Sequence, residues 1–232
     1  MTIIPVKIAA IRQETPTVRV LRLDLQGQGF KYKAGQWIDC YAEIDGLRQV
    51  VGYSLASSPS TMGFIELAVK VSDNPVTVYV HRGAEVGDTL YIEGGQGEVY
   101  YEAGMGAKVV LAAAGIGVSP LMGILRYIDE ATDATVTLFQ SASVFDELIY
   151  YDELMRRAER NPRIKYYPYV TREEPPEGVG MGRVSGTVFE ASRIDLGSLF
   201  YLSGPGGMIP ELRDYLVGRG VDEKRIKYEV WW

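Results

Sequence analysis

Two rhythms divide the chain. Over roughly its first hundred residues apolar and polar positions alternate with the period of two that half-buried strands require. In "FIELAVKVS" Ile65, Leu67, Val69 and Val71 alternate with Glu66, Ala68 and Lys70, and "WIDCYAEI" sets Ile38, Cys40, Ala42 and Ile44 on one face. "VRVLRLDL" changes parity between Val20 and Leu21, which predicts a β-bulge that bends a curved sheet. Gly and Pro clusters separate these runs at short intervals, the signature of an antiparallel barrel or sandwich. From about residue 107 strands alternate with helices. "KVVLAAA" suits a strand covered on both faces, followed by a helix over "SPLMGILRYI" with Ser119 as N-cap and Pro120 in its first turn. "TVTLFQ" leads into a helix over "DELIYYDELMRRAER", whose Leu148, Tyr151, Leu154 and Met155 form one apolar stripe. "IKYYPYVT", "LFYLS" and "IKYEVW" supply three further strands, and "MIPELRDYLVGRG" a last helix with Gly220 near its end, while "REEPPEGVGMG" reads as a polar loop. The pattern predicts an α/β doubly wound, mostly parallel sheet after the antiparallel domain, with domains over residues 1–104 and 105–232.

Composition narrows the function. A chain of 232 residues with 47% hydrophobic and 23% charged residues is ordinary globular material. Its net charge of -6 speaks against a nucleic-acid surface, which needs concentrated Lys and Arg. A single cysteine excludes a disulfide framework, a cysteine-ligated iron–sulfur cluster and an all-cysteine zinc site on these residues, and no metal is expected. No apolar run approaches the ~20 residues of a membrane span, and the start "MTIIPVKIAAI" lacks a signal-peptide pattern, so a cytoplasmic location is expected.

Several short motifs carry chemistry. In "AAAGIGVSP" Gly115 and Gly117 between a strand and a helix let backbone approach a pyrophosphate, with Val118, Ser119 and Pro120 opening the helix. "FYLSGPGGM", with Gly204, Pro205 and Met208, repeats the device late in the chain. "VGYSLASSP" places a tyrosine and hydroxyls at a strand end, where they suit a flavin's ring and polar edge, and "DNPVT" offers Thr77 in the first turn of a short helix. Each in isolation is also an ordinary turn; their order along a barrel followed by an α/β domain is the informative feature.

That order resembles the ferredoxin–NADP reductase family, over nearly the whole chain. The resemblance implies a six-stranded flavin-binding barrel and a nicotinamide-nucleotide domain, with hydride passing between cofactors in the cleft. It implies FAD held by Tyr53, Ser54, Leu55, Ala56 and Ser57, by Val76 and Thr77, and by the terminal Trp231 and Trp232 of "YEVWW". NAD(P)H would lie on Gly115, Gly117, Val118, Ser119, Pro120, Gly204, Pro205 and Met208, with Ser54, Ser203, Glu229 and Trp231 at the reaction centre. In a strand Glu229 and Trp231 point to the same side, so acid and indole project together.

Three departures from the family pattern matter. Val51 stands where the family usually has an arginine that binds the flavin pyrophosphate, leaving His81 and Arg82 as candidate substitutes. Ser203 replaces the family's cysteine. "QSAS" follows the second strand of the α/β domain without the acid that binds the ribose diol of NADH, while Thr171, Arg172 and Arg183 resemble a site for the additional phosphate of NADPH, which is therefore the expected donor over NADH. A basic patch of Arg156, Arg157 and Arg160 suits an acidic carrier such as ferredoxin and equally suits a solvated helix end. Besides a reductase with a separate acceptor, the resemblance admits a free-flavin or quinone reductase and a non-catalytic nucleotide-binding subunit.

Overall fold

A computed structural model describes residues 2–230. The first domain is built from β1 (Ile4–Thr15), β2 (Val18–Asp24), β3 (Trp37–Ile44), β4 (Leu47–Ser54), β5 (Phe64–Lys70) and β6 (Thr89–Gln96), with α1 (Pro75–Arg82) between the last two. These strands form one antiparallel sheet in the order β4-β3-β6-β1-β2-β5, and a bridge between Leu55 and Leu67 brings its two edges together into a barrel. Helix α1 packs against β3, β4 and β5, beside the β4–β5 seam that the single bridge closes. Alternation behaves as expected in β3, where Ile38, Cys40 and Ala42 point into the barrel core.

The parity change in β2 has a different cause from the predicted bulge. Its register with β5 runs unbroken from Val18↔Lys70 to Asp24↔Phe64. Leu21 and Leu23 face the barrel core, whereas Val18 and Val20 face outwards and are buried against the second domain. Both faces are apolar because both are covered. The bulges lie in β1, where the register breaks between Ile8 and Ala10 and between Gln13 and Thr15.

The second domain contains β7 (Lys108–Ala114), α2 (Val118–Ala131), β8 (Thr135–Ala142), α3 (Tyr151–Arg160), β9 (Ile164–Val170), β10 (Gly180–Met181), α4 (Gly186–Ala191), β11 (Leu199–Gly204), α5 (Met208–Gly218) and β12 (Ile226–Val230). The strand order is β10-β9-β8-β7-β11-β12 and every ladder is parallel. The chain winds outward from β7 to β10, then returns to the other side of β7, so the topological switch point lies between β7 and β11.

Three local expectations change. A 3₁₀ turn over Gly115–Gly117 precedes α2, so Ser119 sits inside its first turn instead of capping it. Helix α3 starts at Tyr151 and not at Asp146, because Phe145–Glu147 is a 3₁₀ turn and Tyr150, at φ 64, is left-handed. Leu148 therefore leaves the helical stripe and anchors a small cluster with Ala142 and Val170. The short α4 carried too weak a periodicity to be foreseen. No helix among the described residues is long and apolar enough to cross a membrane.

The two domains share one core. Val18, Val20, Ala56 and Ala68 of the barrel belong to the same buried cluster as Leu121, Met122 and Leu125 of α2. Helix α2 lies so close to the segment after β4 that a Cβ on Gly123 would sit 2.5 Å from the Leu55 carbonyl oxygen. Gly123→Ala must push that backbone away, and overpacking of this kind costs ~1–3 kcal/mol. Urea unfolding of Gly123→Ala should therefore show a lower midpoint with unchanged slope; a wild-type midpoint would show that the helix has room to move.

Candidate functional site

At the carboxyl ends of β7, β8, β9 and β11 a cleft of ≈ 530 Å³ opens towards the barrel. Open parallel sheets bind ligands at this edge, next to the switch point. The second domain contributes Gly115, Thr171, Arg172, Arg183, Pro205 and Met208, and the barrel contributes Thr17, Val18 and Lys70. Gly115 has φ +54 with nothing within 4 Å of where a Cβ would lie, so its backbone is bare towards solvent. Gly117 serves the opposite purpose: a Cβ there would overlap the Ser203 carbonyl, so the two glycine-rich turns can touch only because this residue has no side chain. Gly204 has the same close fit, against Met208 and Ala114. Val118, Ser119 and Pro120 are buried behind the turn as the root of α2.

Ser203 and Glu229 come together. They are direct partners in the β11–β12 ladder, and Ala113 flanks Ser203 on β7. Two residues back in the same alternation, Tyr201 and Leu111 lie in the cluster shared with the barrel, so Ser203 and Glu229 occupy the sheet face turned to the barrel. Ser203 is fully buried. Glu229 is half-buried and its Oε2 has no hydrogen-bond partner among the described residues. Burial pushes its carboxyl up from the ordinary value of 4.5 to about 7. Trp231 and Trp232 lie outside the described residues.

The flavin motif is built into the joint between the domains. Tyr53 and Leu55 face the barrel core, Ala56 enters the shared core, and Ser54 and Ser57 are buried. The Tyr53 hydroxyl is 2.7 Å from the Thr77 hydroxyl, which ties the two sequence motifs into one unit. The Ser57 hydroxyl is 2.8 Å from that of Tyr32 and accepts from the Glu66 amide at 3.0 Å. In the first turn of α1, Pro75 has no N–H, Val76 donates to the Asn74 side chain and Val78 to the Asn74 carbonyl. Thr77, 1% exposed, lies in the same first turn, whose N–H groups and helix dipole are the kind of donor an anionic oxygen takes. That turn and the paired hydroxyl fit a pyrophosphate.

No cation reinforces that spot. Val51 is half-buried against the barrel core. The strands beneath α1 carry two cations: Arg48, 3.7 Å from Glu43 and stacked over Tyr91, and Lys70, which lines the cleft. His81 and Arg82 do not substitute, because they end the eight-residue helix about 12 Å from its start, and the His81 ring bonds the Val69 carbonyl at 3.0 Å.

On the opposite wall, the backbone amides of Thr171 and Arg172 donate to the Ser143 carbonyl, which holds the end of β9 against the end of β8. The side chains of Arg172 and Arg183 are exposed and have no acidic partner among the described residues. Of the basic patch, Arg157 is neutralised by Asp129, Glu130 and Glu153. With Arg156 and Arg160 it lies along the carboxyl half of α3, which leads back to the amino end of β9, away from the cleft.

Lys70, Thr17 and Glu147 escaped the sequence reading. Lys70 looked like one more outward polar position of β5, and only the docking of the domains makes it part of a cleft whose lining includes Gly115. Glu147 accepts hydrogen bonds from the hydroxyls of Thr15 (3.1 Å) and Thr17 (2.6 Å), joining the cleft's two walls.

A two-domain flavin- and nicotinamide-type reductase is the class of protein this fold and cleft define. The family models agree: the Oxidoreductase FAD-binding domain matches residues 5–101 and the Oxidoreductase NAD-binding domain residues 111–214. The chain is 30% identical over 250 residues to "Oxidoreductase NAD-binding domain-containing protein 1" of Homo sapiens, covering 97% of this chain and 79% of that protein. It is 29% identical over 233 residues to "Ferredoxin--NADP reductase B" of Sorangium cellulosum, covering 96% and 95%. The FAD/NAD-binding domain of a Vibrio cholerae nitric oxide dioxygenase has the same fold, with TM-score 0.85, 24% identity and 98% of both chains covered. The chain belongs to the ferredoxin–NADP reductase-like family of FAD- and NAD-binding oxidoreductases.

The raised carboxyl of Glu229 has a consequence for stability. The folded state holds this proton more tightly than the unfolded chain, so the contribution is fully present below about pH 4.5 and is lost as the pH rises through about 7. Glu229→Gln mimics the protonated form. Thermal melts of wild type and Glu229→Gln should coincide near pH 4.5 and diverge by pH 8, with the variant the more stable; parallel curves would mean that Glu229 is ordinarily solvated.

Proposed function

We propose that this chain is an FAD-dependent NADPH oxidoreductase that passes electrons singly to a separate carrier of the ferredoxin kind. What carries the reading is the register of Ser203 with Glu229 on the barrel-facing side of the sheet, beside two phosphate-type turns that meet at Gly117. When bound, the flavin supplies hydride acceptance from the nicotinamide and one-electron release. The protein supplies position and charge. Gly115 and Ile116 offer backbone to the donor's pyrophosphate, and Lys70, in the same cleft, offers a cation to the same group. Tyr53, Thr77 and the first turn of α1 hold the flavin's side of the joint, and Ser54 faces its ring. Ser203 orients the nicotinamide, and Glu229, whose carboxyl burial pushes up to about 7, carries its proton in a good share of molecules near neutrality and can offer it to the nicotinamide's polar edge. By the family pattern Trp231 and Trp232 would be the flavin's aromatic contacts. Residues 1–104 hold the flavin and residues 105–232 the nicotinamide nucleotide.

NADPH is favoured because Arg172 and Arg183 are uncommitted guanidinium groups beside Thr171 and Ser143, and β8 ends in Gln140, Ser141, Ala142 and Ser143 without an acid for a ribose diol. A cytoplasmic location fits this chemistry. The acceptor is assigned to a separate protein because the one cysteine of these residues, Cys40, is buried in the barrel core. Arg156 and Arg160 remain its proposed contact, with Arg157 committed to its acids.

One observation favours a second reading. With no cation at the start of α1, the flavin is held loosely enough to leave reduced, as in a free-flavin reductase. Anaerobic titration of the FAD-loaded protein with NADPH should bleach the flavin, NADH acting at least tenfold more weakly; no bleaching by either would sink the oxidoreductase reading. Flavin lost on desalting, together with turnover of added flavin, would select the second reading. Arg172→Ala should weaken NADPH binding about tenfold, as expected for an exposed charge-assisted contact, and leave NADH untouched, read as Kd by fluorescence titration. Equal losses for both donors would reassign the arginine.

A further inference from the structure

Every nitrogen of the Arg126 guanidinium is hydrogen-bonded. The residue sits in the second half of α2, 8% exposed, and the family motifs give it no part. Its Nε and Nη2 donate to the two carboxylate oxygens of Glu153 on α3, at 2.9 and 2.6 Å. Its Nη1 donates to Glu66 on β5 at 2.7 Å and to the Ala56 carbonyl, inside the flavin motif, at 2.8 Å. The guanidinium lies 5.0 Å over the ring of Tyr150. Burial alone would lower its pKa, but Glu153 and Glu66 more than reverse this, so the group stays charged.

A buried ion network is a poor way to add stability, since apolar residues of similar volume do as well or better. It is a good way to impose direction. Four partners, Glu153 on α3, Glu66 on β5, the Ala56 carbonyl after β4 and the Tyr150 ring before α3, can be satisfied together in only one relative placement of barrel, α2 and α3. The same helix carries the donor's turn at its start: Gly115 to Gly117 run directly into it. Between that turn and Arg126, Ser119 Oγ lies 3.5 Å from the Ser54 carbonyl, and Gly123 meets the Leu55 carbonyl without a side chain. The carbonyls of Ser54, Leu55 and Ala56, which are the flavin motif itself, therefore rest on one face of α2.

We propose that Arg126 is a positioning residue for hydride transfer: bound between Glu66 and Glu153, it holds the segment 54–57 against α2 and thereby sets the distance between flavin and nicotinamide. The proposal rests on the oxidoreductase reading for its catalytic half. Lysine cannot substitute, because a compact ammonium on a flexible stem cannot grip both oxygens of one carboxylate and reach the second acid and the carbonyl at once. Near-attack geometry is sensitive at this scale, where a displacement of about 1 Å costs on the order of 10²-fold in rate.

The test uses Arg126→Lys, which keeps the charge. In anaerobic stopped flow at saturating NADPH, flavin bleaching should slow 10- to 100-fold while the Kd values for FAD and NADPH move less than threefold. In the absence of either cofactor, amide hydrogen exchange should accelerate in segments 54–57 and 115–119 together and stay unchanged in β8 and β9. A folded Arg126→Lys with wild-type bleaching, or with unchanged exchange in either segment, overturns the proposal. Should Arg126→Lys fail to fold, Glu66→Ala decides: it removes one of the two acids that hold the guanidinium, and wild-type rate and exchange in it would equally overturn the role. If wild-type protein itself is not bleached, the oxidoreductase reading fails separately, and exchange in the variant still decides whether Arg126 locks the joint.

Discussion

Close backbone contact at α2 is the constraint on which the rest of the structure depends. A helix usually meets its neighbours through side chains, at 8–10 Å between axes. Here Gly117 brings its start against the backbone of Ser203, and Gly123 brings its middle against the carbonyl of Leu55. One rod thus touches the last glycine turn of the α/β domain and the flavin motif of the barrel. Everything proposed for the site, from the meeting of the two turns to the place of Lys70 and Gly115 in one cleft, follows from that double contact.

Charge is distributed to suit this arrangement. Where the domains must not move, acids and arginines are saturated: Arg126 and Arg157 share Glu153, and Glu147 accepts from two threonines of the β1–β2 turn. Where a ligand is expected, partners are withheld. Among the described residues Arg172 and Arg183 line the cleft with no acid paired to them, and one Glu229 oxygen has no hydrogen-bond partner. Leaving a buried polar atom unpaired costs free energy, which is why such atoms point to a function more often than to packing.

Much of this was legible along the chain, because the informative signals are local. Period-two alternation gave the barrel strands, the switch to strand and helix gave the second domain, and glycine runs after strands marked the two turns that meet at Gly117. Illegible features came from contacts distant in sequence. The two-faced burial of β2 looked like a bulge, since nothing near Val18 and Val20 says that another domain covers them. Tyr150 and its left-handed backbone interrupted a helical stripe that remains continuous on paper. Arg126 reads as one basic residue in an amphipathic helix, and its three hydrogen-bond partners lie 27 to 70 residues away.

The shared core also bears on how such a protein divides. Val18, Val20, Ala56 and Ala68 present an apolar outer wall that is covered by the second domain, α2 foremost. Cut at the linker, the barrel would carry a bare greasy flank into water and the α/β half would lose the floor beneath its first helix. The two parts are thus separable as names but not as building blocks, and a lineage that exchanged one for a foreign counterpart would have to recut both mating surfaces at the same time.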